Sequence, residues 1–453
     1  MPCFTIQKST LMLLLAGLVV LALATGCAPG KPGMVRDIEV LPQDVLLFID
    51  EPEKLLINPE MQADLYHDYR ARFFSPWNRE EPQFSAEEVF WGIARYSTRE
   101  IYAENNLPLP KSWIDDMEKQ SQIDAYPSAH IPGIAVVHAS MRVLPTHRPV
   151  FFSPGRPGEG FPFDYMQNTL VPAGMPLLVT HTSLDGKWAL AETDCAAGWI
   201  RWHEIAIVDD DFQNAYQSKP LAGFMADGVS VLDKSGKHLV SGRVGMSLPL
   251  EHGQARDEFL QALVPVRDRH GMASIQTGFV PEKSFQAMPF TPTQTNFARV
   301  LNSMIGQAYG WGGLYENRDC SALIKDALAG LGIFLPRNSL DQSRAGRFVS
   351  LEGLSAKQKH DQIIEQGKPW LTILYMPGHV MLYIGHDGLS GQALAYHSMW
   401  GLRTWRSLGP DGRWVIGRTV ITTLEPGREM HRLARPHGLL LERITGMTFA
   451  AER

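Results

Sequence analysis

The chain has 453 residues, 44% hydrophobic and 20% charged, with 42 Lys and Arg against 48 Asp and Glu for a net charge of −6. That composition is ordinary for a globular protein with ample core, and at roughly 150 residues per domain it allows about three domains. The mildly acidic balance removes any electrostatic reason to expect nucleic-acid binding.

The first segment reads as a targeting signal rather than as part of the fold. Lys8 precedes an apolar stretch from Leu11 to Ala24, followed by Thr25-Gly26-Cys27. A basic start, an apolar middle and small residues before a cut mark an export signal over 1–27. The stretch is short for a stable membrane span. Leu23-Ala24-Thr25-Gly26-Cys27 resembles a bacterial lipobox, which implies lipidation of Cys27 and anchoring on the periplasmic side of a bacterial membrane. Of the four cysteines, Cys3 lies in the signal, which leaves Cys195 and Cys320 besides Cys27. So few thiols in an exported chain exclude a disulfide framework. A Cys195–Cys320 bridge stays open; otherwise Cys195 reads as a small buried hydrophobe.

Residues 28–132 mix helical patterning, as in Pro59-Glu-Met-Gln-Ala-Asp-Leu-Tyr66, with prolines at intervals, and read as a helical lead-in. Over 133–212 short apolar runs (Leu177-Leu-Val-Thr180, Gly198-Trp-Ile200) alternate with turn signals such as Ser183-Leu-Asp-Gly186, which predicts a small β-barrel. The same pattern returns over 213–288, with Val229-Ser-Val-Leu232, Asp233-Lys-Ser-Gly236 and Gly278-Phe-Val280. Two barrels of one type are therefore expected.

The remaining region, 289–453, holds the chemistry. Tyr309-Gly-Trp311-Gly-Gly313 precedes Asp319-Cys320-Ser321, and an apolar run at helical spacing follows through Leu331. Cys320 is thus predicted in the first turn of a helix, where unpaired N–H groups and the helix dipole favour a thiolate. Strands are expected over 370–375, 379–384 and 393–398, with His379 and His397 on the second and third and a hairpin at Gly385-His-Asp-Gly388. His386 in that turn should be exposed. A helix bearing a cysteine against an antiparallel sheet bearing imidazoles is an α+β layout with the equipment of a thiol hydrolase. One Cys and two His also suit zinc, yet no Cys-x-x-Cys or His-Glu-x-x-His accompanies them, so no metal and no cofactor are expected.

In their order, Tyr309-Gly-Trp-Gly-Gly, Asp319-Cys320-Ser321, Leu335-Pro-Arg337-Asn-Ser339, Pro377-Gly-His379 and His397 resemble the NlpC-type papain-like cysteine peptidases. The upstream barrels resemble the bacterial SH3-like domains that accompany that family. Ser140-Met-Arg142-Val-Leu-Pro-Thr146, Phe163-Asp164-Tyr165 and Tyr102-Ala-Glu-Asn-Asn-Leu107 resemble a subgroup that hydrolyses the γ-D-glutamyl-L-diamino acid bond of murein peptides. The resemblance implies Cys320 as nucleophile, His379 as base and His397 as its orienter. It also implies a thiol-contacting Tyr309 as a second donor to an oxyanion, beside the Cys320 N–H. Asp319, Ser321 and Ser339 would line the peptide, and Asp164 and Tyr165 of the first barrel would meet the free amine of a terminal L-alanine. The opposing expectation is a catalytically silent peptidoglycan-binding lipoprotein.

Overall fold

The computed structural model describes residues 35–156, 158–256, 258–405 and 411–452; the export segment and Cys27 lie outside the described residues. The chain is a multidomain α+β protein, a helical region followed by two small β domains and a helix-on-sheet domain. In the helical region, α1 (Pro59–Phe73) starts where the Asn58 side chain accepts from the Met61 N–H and Pro59 fills a first-turn position. Helix α2 (Lys111–Ser121) follows. Among the described residues each β domain is a seven-stranded sheet, between Ile131 and Ile207 and between Leu221 and Ala287. The turns at Gly186 (φ 67°) and Gly236 (φ 84°) use glycine in the left-handed region that other residues rarely adopt. The second β domain closes on Phe224, Val231, Leu248, Val280 and Phe285.

In the last domain, α3 (Gln294–Met304) and α4 (Cys320–Ala329) lie against a six-stranded sheet. Its strands are β1 (Arg347–Ser350), β2 (Thr372–Met376), β3 (His379–His386), β4 (Ala393–Thr404), β5 (Gly412–Thr423) and β6 (Gly446–Phe449), in the order β1-β6-β2-β3-β4-β5. Helix α4 buries Leu323, Ile324, Ala327 and Leu328 in a core that also holds Leu382, Ile384 and Tyr396 of β3 and β4. The same apolar cluster includes Trp77, Ile134 and Phe212, so the helical region and the first β domain share it. The strand of His397 runs on to Thr404, and its partner β5 and the short β1 and β6 carried no clear sequence signal. Met447 and Phe449 of β6 are buried, but four residues are too few to display a period.

Arg318 fastens the second β domain to this sheet. Its side chain is 1% exposed. Its two terminal nitrogens donate to the Asp227 carboxylate at 2.5 and 2.9 Å, to Gln307 Oε1 at 2.8 Å and to the Val244 carbonyl at 2.9 Å, and Nε donates to Asp326 at 2.7 Å. All five guanidinium N–H groups thereby find an acceptor. Burial alone would raise the Asp227 carboxyl; hydrogen bonds and charge from Arg318 override it and hold it at about 2. A depressed folded value stabilises above the unfolded one and is lost as pH falls through the folded one. Asp227→Asn should therefore lower the urea midpoint at pH 7, by an amount equivalent to about 2 kcal/mol or more. The gap to wild type should narrow between pH 4 and pH 2. A gap that stays constant over that range would show that Asp227 contributes no charge-dependent stability.

Candidate active site

The site begins with a cap. Asp319 precedes α4, and its Oδ1 accepts from the Ala322 N–H at 2.8 Å and the Ser321 hydroxyl at 3.1 Å. Arg337 grips the same carboxylate with both terminal nitrogens, at 2.7 and 3.1 Å, and the Gly312 N–H adds a bond at 3.1 Å. Burial pushes the Asp319 carboxyl up, but Arg337 holds it below the usual range, so it stays ionised. Arg337 also donates through Nε to Thr169 of the first β domain at 2.7 Å. It is a structural tie between the cap and that domain.

Cys320 is the first residue of α4, so its N–H has no acceptor within the helix. The thiol is buried, and the expected thiolate is not what this environment favours. Burial first, then the Asp319 carboxylate, pushes it up to about 12 against the N–H groups of Val380 and Ser321 that would lower it. The helix start is as predicted; the surrounding dryness outweighs it. Cys195 and Cys320 are both free, so no bridge joins them.

The imidazoles form a directed chain. His379 Nε2 lies 2.9 Å from His397 Nδ1, and His397 Nε2 lies 3.0 Å from the Thr422 hydroxyl. That hydroxyl donates to the Thr423 carbonyl at 2.7 Å. A hydroxyl has one proton, so with it spent on Thr423 the oxygen accepts from His397 Nε2–H. His397 Nδ1 then accepts from His379 Nε2–H, which leaves a lone pair on His379 Nδ1. The reverse polarity forfeits the bond to Thr423 and places a proton on Nδ1. Burial keeps both rings neutral: His397 falls well below its ordinary value, and His379, with Arg443 nearby, falls to about 4.

Cys320 sits where two cavities meet. One, about 280 Å³, is lined by His379, Trp400, Arg413 and Arg443; the other, about 360 Å³, by Tyr96, Tyr165, Gln167, Ser321 and Ser339. Tyr309, Trp311, Cys320 and Gly378 line both. Tyr309 is half-buried beside the thiol, and desolvation and Cys320 hold its hydroxyl protonated. Trp311 meets the rings of Phe163 and Tyr165 at 5.3 and 5.6 Å. A larger cavity of about 570 Å³, bounded by Trp188, Arg201 and His203 on the first β domain, contains none of the predicted catalytic residues.

The structure thus brings together Tyr309, Asp319, Cys320, Ser321, Ser339, His379 and Tyr165, with His397 behind His379. Asp164 is the exception. It is 2% exposed and does not line the cleft. One oxygen pairs with Arg142 at 2.7 Å and the other accepts from the Val150 and Met166 N–H groups at 3.0 and 2.9 Å. Arg142 also donates to Gln167 Oε1 at 2.8 Å, and Gln167 Nε2 donates to the Gly312 carbonyl at 3.1 Å. Asp164 therefore shapes the cleft wall through Gln167 and offers no free acceptor to a ligand. Gly312 (φ 59°) and Gly313 (φ 86°) let this wall close: added Cβ atoms would lie 2.5 Å from the Gln167 carbonyl and 2.6 Å from Leu170 Cβ. Thr422, Trp400 and the arginines escaped sequence reasoning. Thr422 reaches His397 only through the β4–β5 register, in which His397 faces Val420, two residues away.

Comparison with known proteins accords with this geometry. Family descriptions match in chain order: the NLPC_P60 stabilising domain (N-terminal) over 10–126, an SH3 domain of SH3b1 type over 149–201, an SH3 domain of SH3b2 type over 209–254, and the NlpC/P60 family over 306–398. A solved NlpC/P60 endopeptidase from Photobacterium damselae subsp. piscicida is similar at 25% identity and a TM-score of 0.82, over 91% of this chain and 98% of that one. An NlpC/P60 family protein from Bacillus cereus ATCC 10987 is 16% identical with a TM-score of 0.45, over 70% of this chain and 99% of that one. No curated protein matches the chain by sequence.

The hydrogen-bond chain makes a claim that spectroscopy can read without substrate. In ¹⁵N-histidine NMR spectra at neutral pH, His379 should show the Nε2–H tautomer. Thr422→Val should mix its tautomers and Thr422→Ser should restore them. Identical His379 shifts in wild type and Thr422→Val would show that Thr422 does not set the polarity.

Proposed function

Because the chain carries an NlpC/P60 catalytic domain behind a helical region and two SH3-like domains, we propose that it is a cell-wall peptide hydrolase. In this reading it is a cysteine endopeptidase that cleaves the γ-D-glutamyl-L-diamino acid bond of murein peptides with a free N-terminal L-alanine. The observation that carries it is the meeting of a buried thiol and a hydrogen-bonded imidazole pair at the junction of a two-lobed cleft.

Thiol and imidazole start neutral, so attack and proton transfer are coupled. As Cys320 Sγ adds to the scissile carbonyl carbon, its proton passes to His379 Nδ1 and the carbonyl oxygen becomes an oxyanion. The Cys320 N–H and the Tyr309 hydroxyl are the donors available to that oxyanion. Collapse breaks the C–N bond, and His379 returns the proton to the departing amine. Water then attacks the thioester, again giving a proton to His379, and Cys320 is released as the thiol. His397 supports the imidazolium by turning its Nδ1 lone pair to His379 Nε2–H.

The lobe lined by Ser321 and Ser339 takes the acyl portion, D-glutamate with L-alanine. It is closed by Tyr96 of the helical region and by Tyr165 and Gln167 of the first SH3-like domain. A glycan on the alanine nitrogen has no room there. Among the described residues Asp319 is the carboxylate lining this lobe, but both its oxygens are engaged by Arg337, Ala322, Ser321 and Gly312. The Tyr165 hydroxyl therefore replaces Asp164 as the acceptor for the ammonium, with the Asp319 charge beside it. An acylated amine brings no charge to the Asp319 field and loses the ammonium's bond to the Tyr165 hydroxyl.

The localisation belongs to the same proposal: export followed by lipid attachment at Cys27 places the enzyme at a bacterial membrane on the periplasmic side. Labelling with a radioactive fatty acid should mark the wild type and not Cys27→Ser; equal labelling of both would reject the anchor. For the activity, mass spectrometry of digests should show the free tripeptide L-Ala-γ-D-Glu-diamino acid cut at the γ-bond. Its N-acetyl form should react at least about tenfold more slowly, and Cys320→Ala should be inactive. Efficient digestion of intact sacculi without cleavage of the free tripeptide would overturn this reading.

A further inference from the structure

The cavity on the His379 side carries an arginine wall that the reaction itself does not use. Arg403 of β4 and Arg413 of β5 face each other directly in the sheet register. Like charges in that position destabilise an antiparallel pair. Arg443, at the end of the short helix Leu440–Arg443, joins them in lining the same cavity. Asp411 pairs with Arg403 at 2.5 Å. Arg443 donates to the Pro377 carbonyl at 3.4 Å and, among the described residues, has no ion pair with a carboxylate. Burial and the field of Arg403 lower the proton affinity of both Arg413 and Arg443. Three cations therefore line the space beside the base, Arg403 and Arg413 exposed and Arg443 half-buried, and the one carboxylate paired with them, Asp411, does not line it.

We propose that this wall is the specificity pocket for the leaving group, and that it selects a departing amino acid carrying a free carboxylate. The inference rests on the endopeptidase reading above. With the acyl portion in the lobe of Ser321 and Ser339, the chain beyond the scissile bond enters the arginine-lined lobe. A carboxylate there replaces water around Arg413 and Arg443 with paired, charge-assisted hydrogen bonds. Two carboxylates can supply that chemistry: the α-carboxylate of a diamino acid that ends the peptide, or a second carboxyl group on its side chain.

Three peptides separate these sources: L-Ala-γ-D-Glu-meso-diaminopimelate with both carboxylates, L-Ala-γ-D-Glu-L-lysine with the α-carboxylate, and the lysine peptide as its C-terminal amide with neither. Between the first and the last, kcat/KM should fall about ten- to hundredfold. A fall at the first step assigns the side-chain carboxyl, and a fall at the second assigns the α-carboxylate. Arg413→Gln should bring the three values together, chiefly by slowing the carboxylate-bearing peptides. Equal values for all three peptides in the wild type, which need no folded variant to interpret, would overturn this inference alone. Cleavage of none would overturn the endopeptidase reading and this inference with it.

Discussion

Everything in the cleft is referred to one buried guanidinium. Arg318 stands immediately before the capping Asp319 and the thiol of Cys320, and its side chain is spent entirely on acceptors from the second SH3-like domain and the catalytic domain. Its backbone carbonyl accepts from the Ser398 hydroxyl at 2.9 Å, one residue beyond His397. The start of α4 and the strand bearing His397 are thus held to the same residue. A charge so deep is tolerated only because each of its donors is matched, and removing a single acceptor leaves it partly unpaired. The second SH3-like domain, which among the described residues lends no side chain to the two lobes beside Cys320, still fixes where the sulfur sits.

Dryness governs the chemistry built on that frame. Burial pushes the thiol up and the imidazole down, so the resting pair is uncharged rather than a thiolate–imidazolium pair. An uncharged pair is a weaker nucleophile at rest but needs no counter-charges to persist in a closed cleft. Orientation then carries more of the task, and the Thr423–Thr422–His397 chain supplies it by fixing which nitrogen of His379 is free. Arg443 acts in the same direction on His379 by adding a positive field.

The parts of this arrangement that sequence reasoning reached are those with local signals. Cys320 follows a capping aspartate and precedes a helical apolar period, His379 opens an alternating strand, and the two β domains announce themselves through closely spaced turns. Burial is not a local property, so the predicted thiolate failed although the predicted helix start held. Asp164 failed for a related reason: its partner Arg142 lies 22 residues away, and nothing in the intervening sequence says that the carboxylate is already taken. Thr422 and the three arginines depend on the pairing of β4 with β5 and on a short C-terminal helix, elements whose own sequence periods are faint.

The paired glycines at 312 and 313 have a wider implication. They press the loop before α4 onto the first SH3-like domain so closely that no other residue fits without displacing the Gln167 carbonyl or Leu170. This joint is closely packed on both sides. Such a protein cannot evolve by shuffling its modules freely. Exchange of the neighbouring domain would demand matched changes on both sides of the seam, at Gly312 and Gly313 and at Gln167 and Leu170.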